Sequence, residues 1–268
     1  MARYQLGVIG GGNMAEAILR GVLRGNFLPH NAIIASDPVF DRRQHITRNV
    51  GVSCVDDNAV PASCPTVLLA VKPQVMGGVL DGIARHVSPD ALIVSIAAGI
   101  PTSFIDSHLG GRGRIVRVMP NTPMLAGAGM SALAVGPRAT EADLRQAERY
   151  FSASGQTVIV TEEQLDAVTA VSGSGPAYFF YLVEAMIEAG VAEGLAEDTA
   201  AALAVQTCVG AAKLLSDSRE RPEVLRRKVT SPGGTTQRAI ETMEATGVKK
   251  AIVAAIRAAA ARSRELGK

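Results

Sequence analysis

A short apolar run, Gln5-Leu6-Gly7-Val8-Ile9, passes straight into Gly10-Gly11-Gly12-Asn13-Met14-Ala15. The amphipathic run Glu16-Ala17-Ile18-Leu19-Arg20-Gly21-Val22-Leu23 follows at once. Strand, Gly-x-Gly-x-x-Ala turn and helix in that order form the pattern of a dinucleotide-binding unit. Gly10 permits the tight turn, Gly12 lets a diphosphate approach the backbone, and Ala15 keeps the helix close to the strand. The helix N-terminus offers unpaired N–H groups and the positive end of a dipole to the phosphates. Glycine clusters also form plain turns; here the flanking strand and helix favour the cofactor reading.

A sheet begun in this way should continue as alternating strands and helices. Residues 31–37 read as a second strand, and Thr66-Val67-Leu68-Leu69-Ala70-Val71 as a near-continuous apolar one, as in a parallel sheet covered on both faces. Residues 91–99, 114–120, 129–135 and 156–160 read as further strands, with a helix over 141–151. Ligands collect at the carboxyl ends of such strands, which singles out Ala70, Val71, Lys72, Pro73 and the small residues around Ala97. Lys72 also fits a solvated surface lysine. At the end of the second strand Asp37 could accept from a ribose 2′-hydroxyl, as in NADH binding. Ser36 with Arg42 or Arg43 could instead hold the 2′-phosphate of NADPH, and Asp37 could simply start a turn before Pro38. A site that tolerates either cofactor is the expectation.

After Val160 the character changes. Thr161-Glu162-Glu163-Gln164 is a capping box, and the alanine-rich remainder reads as helices. One is interrupted by Ser172-Gly173-Ser174-Gly175-Pro176, either by close packing of a helix or ligand or by a loop. Further helices are expected at about 198–215, 223–228, 233–245 and 249–266. Their apolar residues lie on more than one face, so they need partners on several sides, and dimerisation through this half is expected. The fold class is therefore α/β: a Rossmann-type doubly wound sheet over residues 1–160, then an all-α dimerisation and substrate domain over 161–268. In Thr230-Ser231-Pro232-Gly233-Gly234-Thr235-Thr236, Ser231 reads as an N-cap with Pro232 at the first helical position. The glycine N–H groups and threonine hydroxyls then make a cradle for a carboxylate, or the stretch is an ordinary helix start.

The net charge of +2 argues against a nucleic-acid partner. No apolar run is read as approaching the ~20 residues that span a bilayer, so no membrane partner is expected. Met1-Ala2-Arg3-Tyr4 leads directly into the first strand, with no signal peptide expected. Cys54, Cys64 and Cys208 form an odd set without CxxC or Cys/His clusters, which fits reduced thiols, a cytoplasmic location and no metal. All four histidines lie in the first half. A carbonyl reductase protonates an alkoxide, usually from His, Lys or Tyr, whereas hydride addition to a protonated imine needs no such donor. The second half thus mildly favours C=N over C=O reduction. Tyr178 is a possible donor, but the Phe179-Phe180-Tyr181 run reads more readily as core.

Five stretches together resemble the pyrroline-5-carboxylate reductase family. They are Gly10-Gly11-Gly12-Asn13-Met14-Ala15, Ala70-Val71-Lys72-Pro73-Gln74, Met119-Pro120-Asn121-Thr122-Pro123, Ser172-Gly173-Ser174-Gly175-Pro176-Ala177-Tyr178 and Thr230-Ser231-Pro232-Gly233-Gly234-Thr235-Thr236. The resemblance spans essentially the whole chain. It implies NADPH- or NADH-dependent reduction of 1-pyrroline-5-carboxylate to L-proline, the last step of proline biosynthesis. It also implies cofactor contacts at Gly10, Gly12, Asn13, Met14, Ser36, Asn58, Ala70, Lys72, Pro73 and Ala97. Substrate contacts would come from Glu162, Ser231, Gly234, Thr235 and Thr236, with Thr236 on the ring nitrogen as the catalytic contact. A homodimer with interlocked helical halves is implied, and larger rings of dimers are common in the family. Two departures stand out: Asp37 would repel a 2′-phosphate, and Lys228 replaces an asparagine of some relatives. A 3-hydroxyisobutyrate-type dehydrogenase would carry a catalytic lysine within residues 172–189, where this chain has none.

Overall fold

The computed structural model describes residues 4–266; Met1-Ala2-Arg3, part of the leader expectation, lies outside them. The chain forms two compact units, Met1–Ser174 with Ala259–Lys268, and Gly175–Ala258.

The first unit alternates strand and helix: β1 (Leu6–Ile9), α1 (Asn13–Arg24), β2 (Ile33–Ser36), α2 (Phe40–His45), β3 (Ser53–Val55), α3 (Ala59–Ala62), β4 (Thr66–Leu69) and α4 (Met76–Ile83). It continues with β5 (Leu92–Ser95), α5 (Thr102–His108), β6 (Arg114–Pro120), β7 (Gly129–Val135), α6 (Glu141–Ser152) and β8 (Gly155–Ile159). These eight strands form one sheet in the order β3-β2-β1-β4-β5-β6-β7-β8. Every neighbouring pair is parallel except β6 and β7, which run antiparallel.

The strands at the centre are apolar on both faces because helices cover both. Side chains alternate across a strand: Leu6 and Val8 of β1 join Ile18, Leu19, Val22 and Phe151 from α1 and α6. Ile9 joins Met76, Leu80, Ile83 and Ile105 from α4 and α5 on the other face. Full burial of a side chain such as Leu19 contributes about 1.5–3 kcal/mol. Cys64 is buried, and Cys54 and Cys208 are half-buried; all three are unpaired. Burial pushes the Cys54 and Cys64 thiols up to about 11, helped at Cys54 by the Asp37 charge.

Residues 161–174, read from sequence as the start of the helical part, stay with the sheet unit. Leu165 of α7 (Leu165–Val168) packs against Ala132 and Ala134 of β7. A wide π-type turn, Thr169–Gly173, follows. The second unit then holds α8 (Gly175–Ala192), α9 (Glu197–Ser218), α10 (Pro222–Lys228), α11 (Thr235–Ala245) and the start of α12 (Val248–Leu266). The end of α12 belongs to the first unit, where the Ser263 hydroxyl donates to Asp166 Oδ1 at 2.6 Å.

Two expectations about the helices are corrected. Phe179, Phe180 and Tyr181 are not core within the chain; they are 58–75% exposed. By length and composition α9 could cross a membrane, contrary to the sequence reading, because its alanines keep the mean hydropathy at 1.3 between scattered polar residues.

Candidate functional site

The order of the first six strands reverses its winding between β1 and β4, and such a reversal opens a crevice beyond the carboxyl ends. Backbone hydrogen bonds level those ends. Gly10 N–H donates to Ser36 O at 2.9 Å, Ala70 N–H to Ile9 O at 2.8 Å, and Ile96 N–H to Leu69 O at 3.1 Å. Gly10, Gly12, Asn13 and Met14 therefore share one edge with Ala70, Lys72, Pro73 and Ala97. At Gly10 φ is +98°, and a Cβ would lie 2.6 Å from Ala70 O, so only glycine fits. At Gly12 a Cβ would meet nothing within 4 Å, which leaves the backbone open to a ligand. Gly12 caps α1 without any side-chain hydrogen bond, so no side chain fills the place a phosphate would take. The residues present fit the diphosphate of a dinucleotide. Lys72 is exposed at this edge, and Ala97 is buried.

At the end of β2 the structure rearranges the expected roles. Ser36 is fully buried, and its hydroxyl donates to Asn58 Oδ1 at 2.7 Å. It does not open to a ribose, because strand alternation turns it inward; Asn58 is the half-buried partner of the pair. Asp37 faces the loop instead. Its Oδ2 accepts from Gly11 N–H at 2.8 Å and its Oδ1 from Val39 N–H at 2.9 Å. Arg42 donates to Gly11 O and, at 2.6 Å, to Glu16 Oε2. Glu16 also accepts from Arg20 at 2.9 Å and from His45 Nε2 at 3.0 Å. Burial alone would raise the Glu16 carboxyl, but the hydrogen bonds from Arg20, His45 and Arg42 hold it at about 2. Sequence reasoning missed this Glu16–His45 anchor, since only the fold brings the two residues together. Beside Asn58 lies an open groove of about 580 Å³, lined also by Asp56, Gln74, Val75 and Gly78.

Glu162 is not a free carboxylate. Its oxygens accept from the Thr102 N–H at 2.7 Å, the Thr102 hydroxyl at 2.6 Å and Arg117 Nη1 at 3.2 Å. It thereby caps the N-terminus of α5 from outside and partners the buried Arg117, 7% exposed. The carboxylate expected near the substrate is thus held in place by Thr102 and Arg117.

In the second unit the Ser231 expectation is also corrected. Pro232 and Gly233, the latter at φ +72°, form a turn closed by Gly234 N–H donating to Ser231 O at 3.0 Å. Pro232 thus takes the second position of a turn and not the first of a helix. The helix starts at Thr235, capped by Gly234 with no side-chain bond. Gly233 N–H is taken by Gln237 Oε1 at 2.7 Å, so neither glycine amide is free. The open amides are those of the first turn of α11, Thr235, Thr236 and Gln237. The hydroxyls of Thr235 and Thr236 have no hydrogen-bond partner among the described residues. Lys228, the second departure, is held by both Glu220 oxygens at 2.7 Å.

A doubly wound sheet with a glycine-lined, uncapped helix start at its crevice, joined to a helical unit, defines a dinucleotide-dependent oxidoreductase. Comparison makes this specific. Residues 162–266 match the family model for pyrroline-5-carboxylate reductase dimerisation, and residues 5–99 match that of the coenzyme F420-dependent NADP oxidoreductases. The pyrroline-5-carboxylate reductase of Pseudomonas aeruginosa is 43% identical over 99% of this chain and 98% of its own. That of Synechocystis is 43% identical over 98% of each. The solved reductase of Coxiella burnetii superposes with TM-score 0.91 at 36% identity over 99% of both chains. The Plasmodium falciparum enzyme, solved with NADP bound, gives 0.89 at 28% identity over the full length of both. The chain belongs to the pyrroline-5-carboxylate reductase family. It is an NAD(P)H-dependent oxidoreductase that reduces the C=N bond of 1-pyrroline-5-carboxylate to proline, and its helical part is a dimerisation domain.

Proposed function

We propose that two uncapped helix starts divide the work of this reduction, α1 holding the cofactor diphosphate and α11 the substrate carboxylate. The observation that supports this most is shared: Gly12 and Gly234 each begin a helix without a side-chain cap. Bound NAD(P)H supplies the hydride from C4 of its nicotinamide. The amides of Asn13, Met14 and Ala15 bind the diphosphate. Asn58, held by Ser36, and Asp37 meet the adenosine ribose, with the groove beside Asn58 for the adenine side. Ala70, Lys72, Pro73 and Ala97 border the nicotinamide side. Thr235 and Thr236 present free hydroxyls, and Thr236 is the residue we place on the ring nitrogen.

In the protonated imine, hydride addition at the imine carbon C2 yields a neutral amine, so the chain need not place an acid at that carbon. Its contribution is orientation, which is worth up to about 7–11 kcal/mol in well-aligned reactions. Asp37 would oppose a 2′-phosphate, and Arg42 is committed to Glu16, which supports acceptance of both cofactors with NADH favoured.

The functional division lies near residue 160, with residues 161–268 serving dimerisation and substrate. The exposed apolar residues of α8 and α9 suit the partner subunit rather than a membrane, and a ring of dimers is the larger assembly we infer. Unpaired thiols fit a cytoplasmic setting. The test is loss of NADH or NADPH absorbance with 1-pyrroline-5-carboxylate, alongside light scattering for the assembly. Turnover with neither cofactor would overturn the reading.

A further inference from the structure

Two of the motif stretches have no role in the site described so far, and the structure joins them. Asn121 leaves the carboxyl end of β6, and Ser172 lies in the wide turn Thr169–Gly173. Asn121 is 9% exposed. Its Nδ2 donates to Ser172 O at 3.3 Å and to Ser172 Oγ at 3.2 Å, while its Oδ1 accepts from Met130 N–H at 2.8 Å. One side chain thus fastens the end of β6, the start of β7 and the turn beyond α7. Met119 closes the same contact: its Cε lies 2.5 Å from where a Cβ on residue 173 would stand.

A π-type turn carries one residue more than the helical ladder can register, and such turns gather at functional sites. This one is closed by Ser174 N–H donating to Thr169 O at 2.8 Å. Asn121 adds an anchor from outside through Ser172. Only a side chain with a donor and an acceptor on one short amide can bind Ser172 and Met130 together. The turn stands against β6, past the cofactor crevice on the side of β4 and β5 whose ends we assign to the nicotinamide.

We propose that Asn121 is a positioning residue for hydride transfer: by holding Ser172 it fixes the wide turn Thr169–Gly173 as a wall of the reacting end. The proposal rests on the reading of the carboxyl edge given above. Asn121 touches neither cofactor nor substrate; it sets the turn that borders them. A loosened turn degrades alignment, which a reaction driven by orientation feels in kcat, while the diphosphate contacts at α1 remain intact.

The test is a double-mutant cycle on kcat with N121A and S172A, both kept as full-length enzyme. N121A lowers kcat by about tenfold or more, leaves the Kd for NADH unchanged and raises the isotope effect from 4-deuterated NADH. S172A, which retains the carbonyl acceptor, lowers kcat less, and adds nothing in the N121A background. Unchanged kcat and isotope effect in N121A, or fully additive losses, would overturn the proposal. If N121A is not recovered folded, S172A decides alone: wild-type kcat and isotope effect would overturn it. Wild-type enzyme without turnover would refute the underlying reading; active wild type with indifferent variants refutes only the role of Asn121.

Discussion

The carboxylate of Asp37 and the backbone N–H of Gly11 meet at 2.8 Å, so the residue we propose for the ribose end also ties down the glycine-rich loop. The two duties are separable. Replacing Asp37 with Ser removes the charge that opposes a 2′-phosphate. The kcat/KM ratio of NADPH to NADH should rise about ten- to hundredfold, some 1.4–2.7 kcal/mol. Part of that change comes from poorer use of NADH as the loop loses its tether. Steady-state kinetics with both cofactors check it, and an unmoved ratio would remove Asp37 from cofactor choice.

Glu16 makes stability depend on acid. Its folded-state carboxyl sits at about 2, below an ordinary value of 4.5. A lowered carboxyl contributes stability that is complete above about pH 4.5 and fades as the pH falls towards 2. E16Q should therefore unfold about 2–3 kcal/mol more easily than wild type at pH 7, with the gap closing towards pH 2. Urea titrations across that window measure it, and a constant gap would contradict it.

Thr236→Ala should lower kcat/KM by about one to two decades, roughly 1.4–2.7 kcal/mol, through loss of the hydroxyl placed on the ring nitrogen. Unchanged kinetics would remove that role from Thr236.

Glu162 should behave as a structural residue. E162A leaves Arg117 buried without its carboxylate and α5 without its external cap, a loss of about 3–5 kcal/mol. The folded fraction should keep the wild-type KM for 1-pyrroline-5-carboxylate. Denaturant unfolding reads the first quantity, and substrate titration the second; a raised KM at wild-type stability would restore the substrate role.

Phe180→Glu puts a charge among the exposed aromatics of α8. It should weaken the dimer by about 2 kcal/mol or more, as truncation of an aromatic anchor does. Sedimentation at falling concentration checks this, and a dimer as tight as wild type would place the interface elsewhere.

Much of the fold was legible because its signals are local. The runs at 114–120 and 129–135 match β6 and β7 residue for residue, being apolar stretches bounded by Pro and Gly. β3 was invisible: three residues at a sheet edge, beginning with an exposed serine, carry no periodicity. In the site, the loop at Gly10 announced itself by spacing. Ser36 misled because a strand buried on both faces gives no sign of which way a residue points. Ser231 misled because proline opens turns as well as helices. The partners of Glu162 were not legible because Arg117 and Thr102 lie far away in sequence.

The antiparallel junction of β6 and β7 bears on how the sheet assembles. Only residues 121–128 separate these strands, whereas β1 must find β4 across residues 10–65. Loop closure costs grow with the span closed, and pairings of short span form early. The far edge of the sheet can therefore be a hairpin before the cofactor crevice exists. Asn121, inside that hairpin, would then stand ready to receive Ser172 once α7 arrives.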